Sequence, residues 1–528
     1  MADVTRRYDT IVLGGSIDAL VAAITLARAG SKVALLIPED EPGAELRQVE
    51  FQPGFRAPPL GRDLGWVPDD ILQLSGLEAL PRLAADPMLV ALGEGGPLAF
   101  RRDPQATAQA ITAISARDGA RWLDFCRESA ALAGFLAHLY RELPPRIDAG
   151  TRTEFLKSFR SARRFRKLGR RSMQAFLYTL PVAVADLLDD WFEAPLLKGA
   201  LAALAVRDLC QGPRSGGTGF NWLHRQTGGG MQGFIERLVT QGGATMLLKA
   251  LVHQARERGI AIQTGASVAR ITVENDAVHG VELARGDVIE GSTVISALDP
   301  SQTLLELIDP VHLEAETIEA IRRVRYRAAT SIALLALDRL PPLPELAGAP
   351  TGSFMFAPTM TAVERAYDAT KYGQIPDAPI VELSFPSVAD PALAPVGKHV
   401  AVLRIQYTPG QVRGRAWDDV LRESIGARAL GVIEACLPGF GASISGGQVL
   451  APPDLERLFG LRGGAVGGPE LALDQSLFMR PFPEASRYAA PVNGVFLCGP
   501  GTHPGPGIAG ISGQLSARRL LQWQRARP

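Results

Sequence analysis

The pattern of apolar and polar positions near the start of the chain predicts a strand, a tight turn, a helix and a second strand. Residues 9–13, DTIVL, form a short apolar run typical of a buried strand. After the turn sequence GGSIDA, apolar residues recur at helical spacing over 20–27, and Gly30 is suited to end that helix. A second apolar run follows at 32–37. This order within one short segment is that of the βαβ unit that binds dinucleotides.

The glycine turn of this unit is an imperfect copy of the dinucleotide-binding pattern. Gly14 occupies the first glycine position and Ala19 the third, where alanine is accepted, but Ser16 stands at the second. Ile37 stands where an acidic residue commonly binds a ribose hydroxyl, and Glu39 lies just beyond it. The unit therefore either holds a nucleotide or serves only as an element of the fold.

The end of the chain carries a second glycine-rich turn before a helix. Residues 494–498 predict a strand, and the sequence GPGTHPGPGIAG after it predicts a tight loop. The last segment predicts a helix capped by Ser512, with Gly513 just inside its first turn. Helix starts with exposed backbone N–H groups at both ends of the chain suggest that the termini meet around one extended cofactor. The alternative is a turn-rich C-terminus that binds nothing.

The middle of the chain predicts both further strands and helices. Residues 246–258 predict a helix, and short strands follow at 278–283, 287–291 and 292–298. Two further strands are predicted at 328–338 and 399–409, the second with alternating burial. Residues 105–140 predict amphipathic helices whose core-facing positions are Ile111, Ile114, Trp122, Phe125, Leu132 and Phe135.

Length and charge restrict the class of protein. The chain has 528 residues, which is longer than a chain that usually folds around a single hydrophobic core. This length predicts two or three domains. The 55 Lys and Arg residues balance the 55 Asp and Glu residues, which argues against a nucleic-acid partner. The 4 cysteines are scattered without a metal-ligand spacing, so neither a disulfide framework nor a metal site is expected. We expect a cytoplasmic protein, with a peripheral membrane position as the alternative, because no apolar segment is long enough to span a bilayer.

One segment, 152–171, departs from this neutral average. It carries 9 Lys or Arg residues against the single acid Glu154, with phenylalanines between them. Such a helix can be a solvated face, can pair with the acidic stretch 185–194, can lie on anionic lipid, or can dock a partner. Peripheral membrane contact through this segment and a homo-oligomeric or hetero-oligomeric assembly therefore stay open.

Three stretches of the sequence resemble a known family. The tail from LDQSLFMRPFPEAS to GISGQLSARR, the segment 240–300 and the sequence FQPGFRAPPLG at 51–61 are similar to phytoene desaturase-related FAD-dependent oxidoreductases. The resemblance covers most of the chain. It implies an α/β fold with a discontinuous Rossmann-like FAD-binding domain and an inserted α+β substrate domain. The implied FAD-binding parts are 1–60, 236–304 and 481–528, and the substrate-domain parts are 61–235 and 305–480.

The resemblance also implies a cofactor, FAD, and the residues that hold it. Val268 would bring its backbone amide to the adenine edge, and Gly43 lies in the stretch that follows the second strand. The full set of implied cofactor-binding residues is Gly14, Gly15, Ser16, Ala19, Glu39, Gly43, Val268, Gly499, Gly510, Ile511 and Gly513. His503 in the tail loop and Arg480 are the catalytic candidates, because the loop would face the flavin ring.

The function implied is an oxidoreductase that desaturates, saturates or isomerises the carbon chain of a hydrophobic small molecule. The alternative is a non-catalytic or partner-dependent relative with weakened FAD binding, which would act as a scaffold or as a subunit of a complex. In this alternative Ser16, Ile37 and the carboxylates of residues 39–45 are the features that weaken FAD binding.

Overall fold

The computed structural model describes residues 6–60, 65–78, 85–93, 96–145, 162–234, 244–344, 348 and 350–526. The strands of the first half are β1 Arg6–Leu13, β2 Val33–Leu36, β3 Val49–Gln52, β4 Phe55–Ala57, β5 Leu89–Leu92, β6 Leu98–Phe100, β7 Ala261–Gln263 and β8 Val268–Glu274. The later strands are β9 Ala277–Leu283, β10 Val288–Ser296, β11 Thr330–Leu337, β12 Ser353–Phe356, β13 Ile380–Ser384, β14 His399–Gln406, β15 Ile444–Leu450 and β16 Val495–Leu497.

The helices of the first half are α1 Ile17–Arg28, α2 Asp69–Ser75, α3 Pro104–Thr112, α4 Ala116–Tyr140, α5 Gly169–Thr179, α6 Val184–Trp191, α7 Pro195–Ala205 and α8 Thr218–Gln226. The later helices are α9 Thr245–Glu257, α10 Ala315–Arg322, α11 Met360–Lys371, α12 Pro386–Ala389, α13 Asp419–Cys436, α14 Pro452–Phe459 and α15 Ile511–Arg525. A 3₁₀ turn, Ala44–Leu46, follows β2.

The first large sheet brings together the start, the middle and the end of the chain. Its strand order is β7-β2-β1-β10-β9-β8, and β16 pairs with β10. β1 runs parallel to both β2 and β10, and β10 runs parallel to β16. All four residues of β2 are buried, as expected for a parallel strand covered on both faces. The predicted strands at 287–291 and 292–298 are one continuous strand, β10, because pairing with β1 extends over its length.

The second large sheet is built from the interior of the chain. Its order is β15-β11-β14-β13-β12-β5-β6, and most of its pairs are antiparallel. β14 is buried at seven consecutive positions, so the alternating burial predicted for 399–409 is wrong. The reason is that both faces of this sheet are covered by apolar clusters, which leaves no solvent-facing side.

Helices from the interior of the chain pack around a large aromatic core. Trp122, Phe125 and Leu132 of α4 are almost completely buried, as predicted. Ile114 was expected in the same core but is 42% exposed. It lies in the short link between α3 and α4, where the helical periodicity that placed it inward is interrupted.

The predicted fold class, an α/β fold with a discontinuous dinucleotide-binding sheet and an inserted α+β part, is confirmed. The boundaries 1–60, 61–235, 236–304, 305–480 and 481–528 stay predictions. Of the basic segment, 152–161 lies outside the described residues. In its described remainder, Arg171 lies 3.9 Å from Glu128 and Arg164 contacts His138. The lipid and partner interpretations of this segment stay predictions.

Candidate functional site

The N-terminal glycine turn has the backbone conformation that its sequence predicts. Gly14 has a φ of +104°, which favours glycine, and its N–H donates to the Leu36 carbonyl over 2.8 Å. The Ser16 hydroxyl accepts a hydrogen bond from the Ala19 N–H at 3.3 Å and caps α1. Serine at the second glycine position therefore stabilises the start of the helix that follows the turn.

The C-terminal helix begins differently from its prediction. Gly510, with a φ of +80°, is the residue that caps α15, so the predicted Ser512 cap is wrong. The Ser512 hydroxyl instead accepts from the Gly499 N–H at 2.8 Å and bonds the Thr502 hydroxyl at 2.6 Å. Ser512 therefore ties the glycine loop after β16 to the first turn of α15.

The N-termini of α1 and α15 converge on one place. The Gly513 N–H donates to the Asp18 carboxylate at 3.1 Å, which joins the first turns of the two helices. A Cβ on Gly513 would lie 1.9 Å from the Asp18 carbonyl oxygen, so only glycine permits this approach. Two positive helix ends side by side favour a negatively charged group.

A loop rich in carboxyl groups covers the first glycine turn. The Gly43 N–H donates to the Gly15 carbonyl at 2.8 Å, and a Cβ on Gly43 would lie 2.3 Å from Leu248. Burial and, to a smaller extent, the negative charges of Asp18 and Glu39 together raise the pKa of Glu45 to about 7. Burial also raises the pKa of Asp18 to about 6, against the opposing effect of the backbone N–H groups of Gly513 and Gly510.

The backbone geometry of these residues fits FAD. Whether they accept it depends on the protonation state of their carboxyl groups. The converging helix ends and the glycines that exclude a Cβ form a cradle suited to a diphosphate-bearing nucleotide. The carboxyl groups of Asp18 and Glu45 repel a diphosphate when ionised and tolerate it when protonated. Their raised pKa values place that change close to neutral pH.

The remaining predicted cofactor residues lie on the same sheet and the same loops. Val268 is the first residue of β8 and pairs with Leu283, and Ile511 is the first residue of α15. Glu39 is partly exposed beside Glu45, whose pKa it raises. The individual contacts of these residues with FAD stay predictions.

Side chains from distant segments hold the carbonyl groups of the tail loop 499–507. Arg480 donates to the Pro500 carbonyl, and the Tyr488 hydroxyl donates to the His503 carbonyl at 2.8 Å. In addition to these side chains, the main-chain N–H of Trp66 donates to the Gly507 carbonyl at 2.9 Å. The backbone of this loop is thereby fixed against the first turn of α15.

The two catalytic candidates occupy this loop region. Arg480 is completely buried, and its guanidinium also donates to the carbonyls of Pro469, Glu470 and Gln475 at 2.9–3.1 Å. This bonding is that of a structural arginine, because its donors are directed to main-chain oxygens. His503 is 3% exposed, packs on the Tyr140 ring at 5.6 Å, and burial lowers its pKa to about 4. The catalytic roles of both residues stay predictions.

His224, which the sequence did not single out, connects this loop to Tyr140 at the end of α4. Its Nε2 lies 2.7 Å from the Pro506 carbonyl, which can only accept, so Nε2 carries the proton. Its Nδ1 then accepts from the Tyr140 hydroxyl at 2.7 Å. Burial lowers the pKa of His224 to about 3, so the ring is neutral at physiological pH. Only the fold reveals this role, since His224, Tyr140 and Pro506 are far apart in sequence.

A cavity of about 400 Å³ adjoins the tail loop. Pro506 and Gly507 form one part of its wall, and His224 and Trp66 form the part next to them. Its apolar lining includes Met88, Leu204, Leu209, Phe234, Val402, Val466 and Leu471, and polar and charged side chains form the rest of the wall. The cavity therefore joins the predicted flavin-side loop to a wall of mixed apolar and polar character.

The described part of the chain shows neither a cluster of metal ligands nor a membrane-spanning helix. Among these residues, no group of three or more His, Cys, Asp or Glu side chains is arranged to hold a metal ion. None of the helices that the structure describes combines the length and apolar character needed to cross a membrane.

Comparison with known proteins agrees with the geometry. A protein-family model described as "Flavin containing amine oxidoreductase" matches residues 20–521. The chain is 30% identical over 552 residues to pyridine nucleotide-disulfide oxidoreductase domain-containing protein 2 of Rattus norvegicus, covering 98% of this chain and 94% of that protein. It is 24% identical over 538 residues to hydroxyneurosporene desaturase of Rubrivivax gelatinosus, covering 99% and 94%.

A solved oxidoreductase structure from Methanosarcina mazei shares the fold of the chain. It covers 97% of this chain and 100% of its own, with 16% identity and a TM-score of 0.59. At this identity the likeness concerns the fold.

Proposed function

Because the chain belongs to the flavin-containing amine oxidoreductase family and is an FAD-dependent oxidoreductase, we propose that it desaturates, saturates or isomerises the carbon chain of a hydrophobic small molecule. The observation that carries the proposal is the cavity beside the tail loop, whose wall includes a set of apolar side chains such as Leu204, Phe234 and Leu471. The full-length relative named hydroxyneurosporene desaturase supports this direction.

FAD and the residues of the chain have different roles in this reaction. When bound, FAD supplies a two-electron acceptor or donor of hydride. The residues of the chain position and shield the reacting centre. Arg480, Tyr488 and His224 fix three carbonyls of the tail loop, which keeps this side of the cavity rigid. His224, which lines the cavity, is neutral at physiological pH, so it adds no charge there that would disfavour an apolar substrate.

The non-catalytic alternative has one observation in its favour, the carboxyl groups of Asp18 and Glu45 in the nucleotide cradle. Their raised pKa values allow the neutral form, so these groups bear on the pH at which FAD binds. The match of the enzyme family to residues 20–521 favours the oxidoreductase.

Anaerobic mixing of FAD-loaded protein with candidate substrates tests the proposal. The panel contains a linear polyene, a long-chain unsaturated acid and a short diamine, and the flavin absorbance reports reduction. Desaturation by oxidised FAD predicts bleaching with a long apolar compound, saturation by pre-reduced FAD predicts recovery of the absorbance with the polyene, and the diamine should cause neither. Reduction by the diamine alone would contradict the proposal, since it would indicate an amine oxidase.

A further inference from the structure

Trp66 lies in the wall of the cavity, directly beside the tail loop. Its main-chain N–H donates to the Gly507 carbonyl, and its carbonyl accepts from the Ala509 N–H, both at 2.9 Å. Between these two bonds, Trp66 forms a parallel bridge with Ile508. Because the main chain of Trp66 is bonded in both directions to the end of the tail loop, its position relative to that loop is fixed.

The side chain of Trp66 packs directly on the main chain of Gly228, which follows the C-terminal end of α8. A Cβ on Gly228 would lie 2.0 Å from Cγ of the indole and 2.2 Å from its Cδ1. Gly228 also has a φ of +77°, which favours glycine. Since Gly228 lines the cavity as well, the indole and this glycine form one continuous part of its wall.

These contacts leave the indole little freedom to move. Tryptophan has only two rotatable side-chain bonds, and Trp66 is anchored through its main chain on one side and lies against Gly228 on the other. It is partly buried and packs against the large aromatic core. Because displacing a side chain from such close packing is costly, Trp66 is a fixed part of the wall.

Trp66 is the largest side chain among the described residues that line the cavity. In a closely packed wall, a side chain of this size determines which shapes of ligand fit beside it. We infer that Trp66 is a specificity-determining residue, whose indole narrows the cavity beside the tail loop so that a linear apolar chain fits there and a chain that ends in a ring is disfavoured. This inference rests on the proposed function for the identity of the cavity as the substrate site, and it adds the shape of the substrate.

Calorimetric titration of the FAD-loaded protein tests this inference separately from turnover. The probes are decanol and cyclohexylbutanol, which have the same number of carbon atoms and the same hydroxyl group, and only the second carries a terminal ring. We expect decanol to bind about tenfold more tightly, the discrimination typical of a small misfit in an apolar pocket. Equal binding, tighter binding of cyclohexylbutanol, or no binding of either probe would overturn the inference.

The variant Trp66→Ala removes the indole from the wall and should abolish the preference for decanol. Cyclohexylbutanol is expected to bind about tenfold more tightly than it does to the unaltered protein, with little change for decanol. Trp66→Phe keeps a smaller ring and should show an intermediate preference. An unchanged preference in Trp66→Ala would contradict the role of Trp66.

Trp417→Phe is the matched control for these variants. Trp417 is also partly buried, but it packs against the second sheet and is not among the described residues of the cavity lining. This variant should keep the preference of the unaltered protein. If Trp66→Ala does not fold, the comparison of Trp66→Phe with Trp417→Phe decides the inference, and the same preference in both would overturn it.

The two proposals fail in different ways. If Trp66→Ala loses the preference for decanol but no long-chain compound changes the flavin absorbance, the proposed reaction is wrong and the role of Trp66 stands. If a long-chain compound changes the flavin absorbance and Trp66→Ala keeps the preference, the reaction stands and the role of Trp66 is wrong.

Discussion

Glu45 and Asp18 are the residues of the nucleotide cradle whose chemistry is least expected. Both carboxyl groups lie where two helix N-termini and a glycine turn favour an anion. Their raised pKa values follow from burial and, for Glu45, from the charges of Asp18 and Glu39. A diphosphate that approaches Glu45 stabilises its protonated form further, so FAD binding should take up a proton.

FAD affinity is therefore expected to rise as the pH falls through about 7, the pKa of Glu45. The dissociation constant should be about fivefold to tenfold smaller at about pH 6.5 than at about pH 8, since the ionised form must first be protonated. The variant Glu45→Gln should bind FAD tightly at both values. Fluorescence titration with FAD across this range measures the effect.

Glu41→Gln is the control for this experiment, because Glu41 is an exposed neighbour in the same loop. It should keep the pH dependence of the unaltered protein. The same affinity at both pH values, or an undiminished pH dependence in Glu45→Gln, would show that Glu45 does not face the diphosphate.

At the scale of elements, the contact between α1 and α15 is what joins the two ends of the chain. Gly513→Ala would place a Cβ 1.9 Å from the Asp18 carbonyl oxygen. We expect the helices to separate, with a loss of about 1–3 kcal/mol in the free energy of unfolding and a loss of retained FAD. Chemical denaturation and the flavin absorbance after gel filtration measure these two effects.

Gly431→Ala in α13 provides the matched comparison. Gly431 is exposed, and a Cβ there would meet no atom within 4 Å. This variant should keep its FAD and gain about 0.5–1 kcal/mol, the usual effect of replacing an exposed helical glycine by alanine. A Gly513→Ala variant as stable as Gly431→Ala would show that the close approach of α1 and α15 is not needed.

The elements that sequence reasoning predicted correctly are those with local signals. The apolar runs that became β1 and β2, the glycine turn at Gly14 and the helix α9 all depend on neighbouring residues. The cap of α15 was misassigned because the Ser512 hydroxyl is engaged by Gly499, a contact that depends on the position of the preceding loop. The bond of His224 to Pro506 and the ion pair of Arg404 with Asp208 also join distant segments, so no local pattern indicates them.

At the scale of the molecule, strand order explains how one cofactor can be held by both ends of a 528-residue chain. β10 lies between β1 and β16 in the sheet, so the middle of the chain positions the first and last glycine loops beside each other. The second sheet and its helices supply the cavity and its charges. The proposed function therefore requires FAD on one sheet and the substrate against the other, with the tail loop between them.

The flavin absorbance of the purified chain is the most direct test of the cofactor site. After incubation with FAD at about pH 6.5, where Glu45 is mostly protonated, the protein is passed through a gel-filtration column at the same pH. We expect one FAD per chain to be retained at this pH and less to be retained at about pH 8. A protein that emerges without flavin at both pH values would contradict the cofactor site on which the proposed function and the substrate cavity depend.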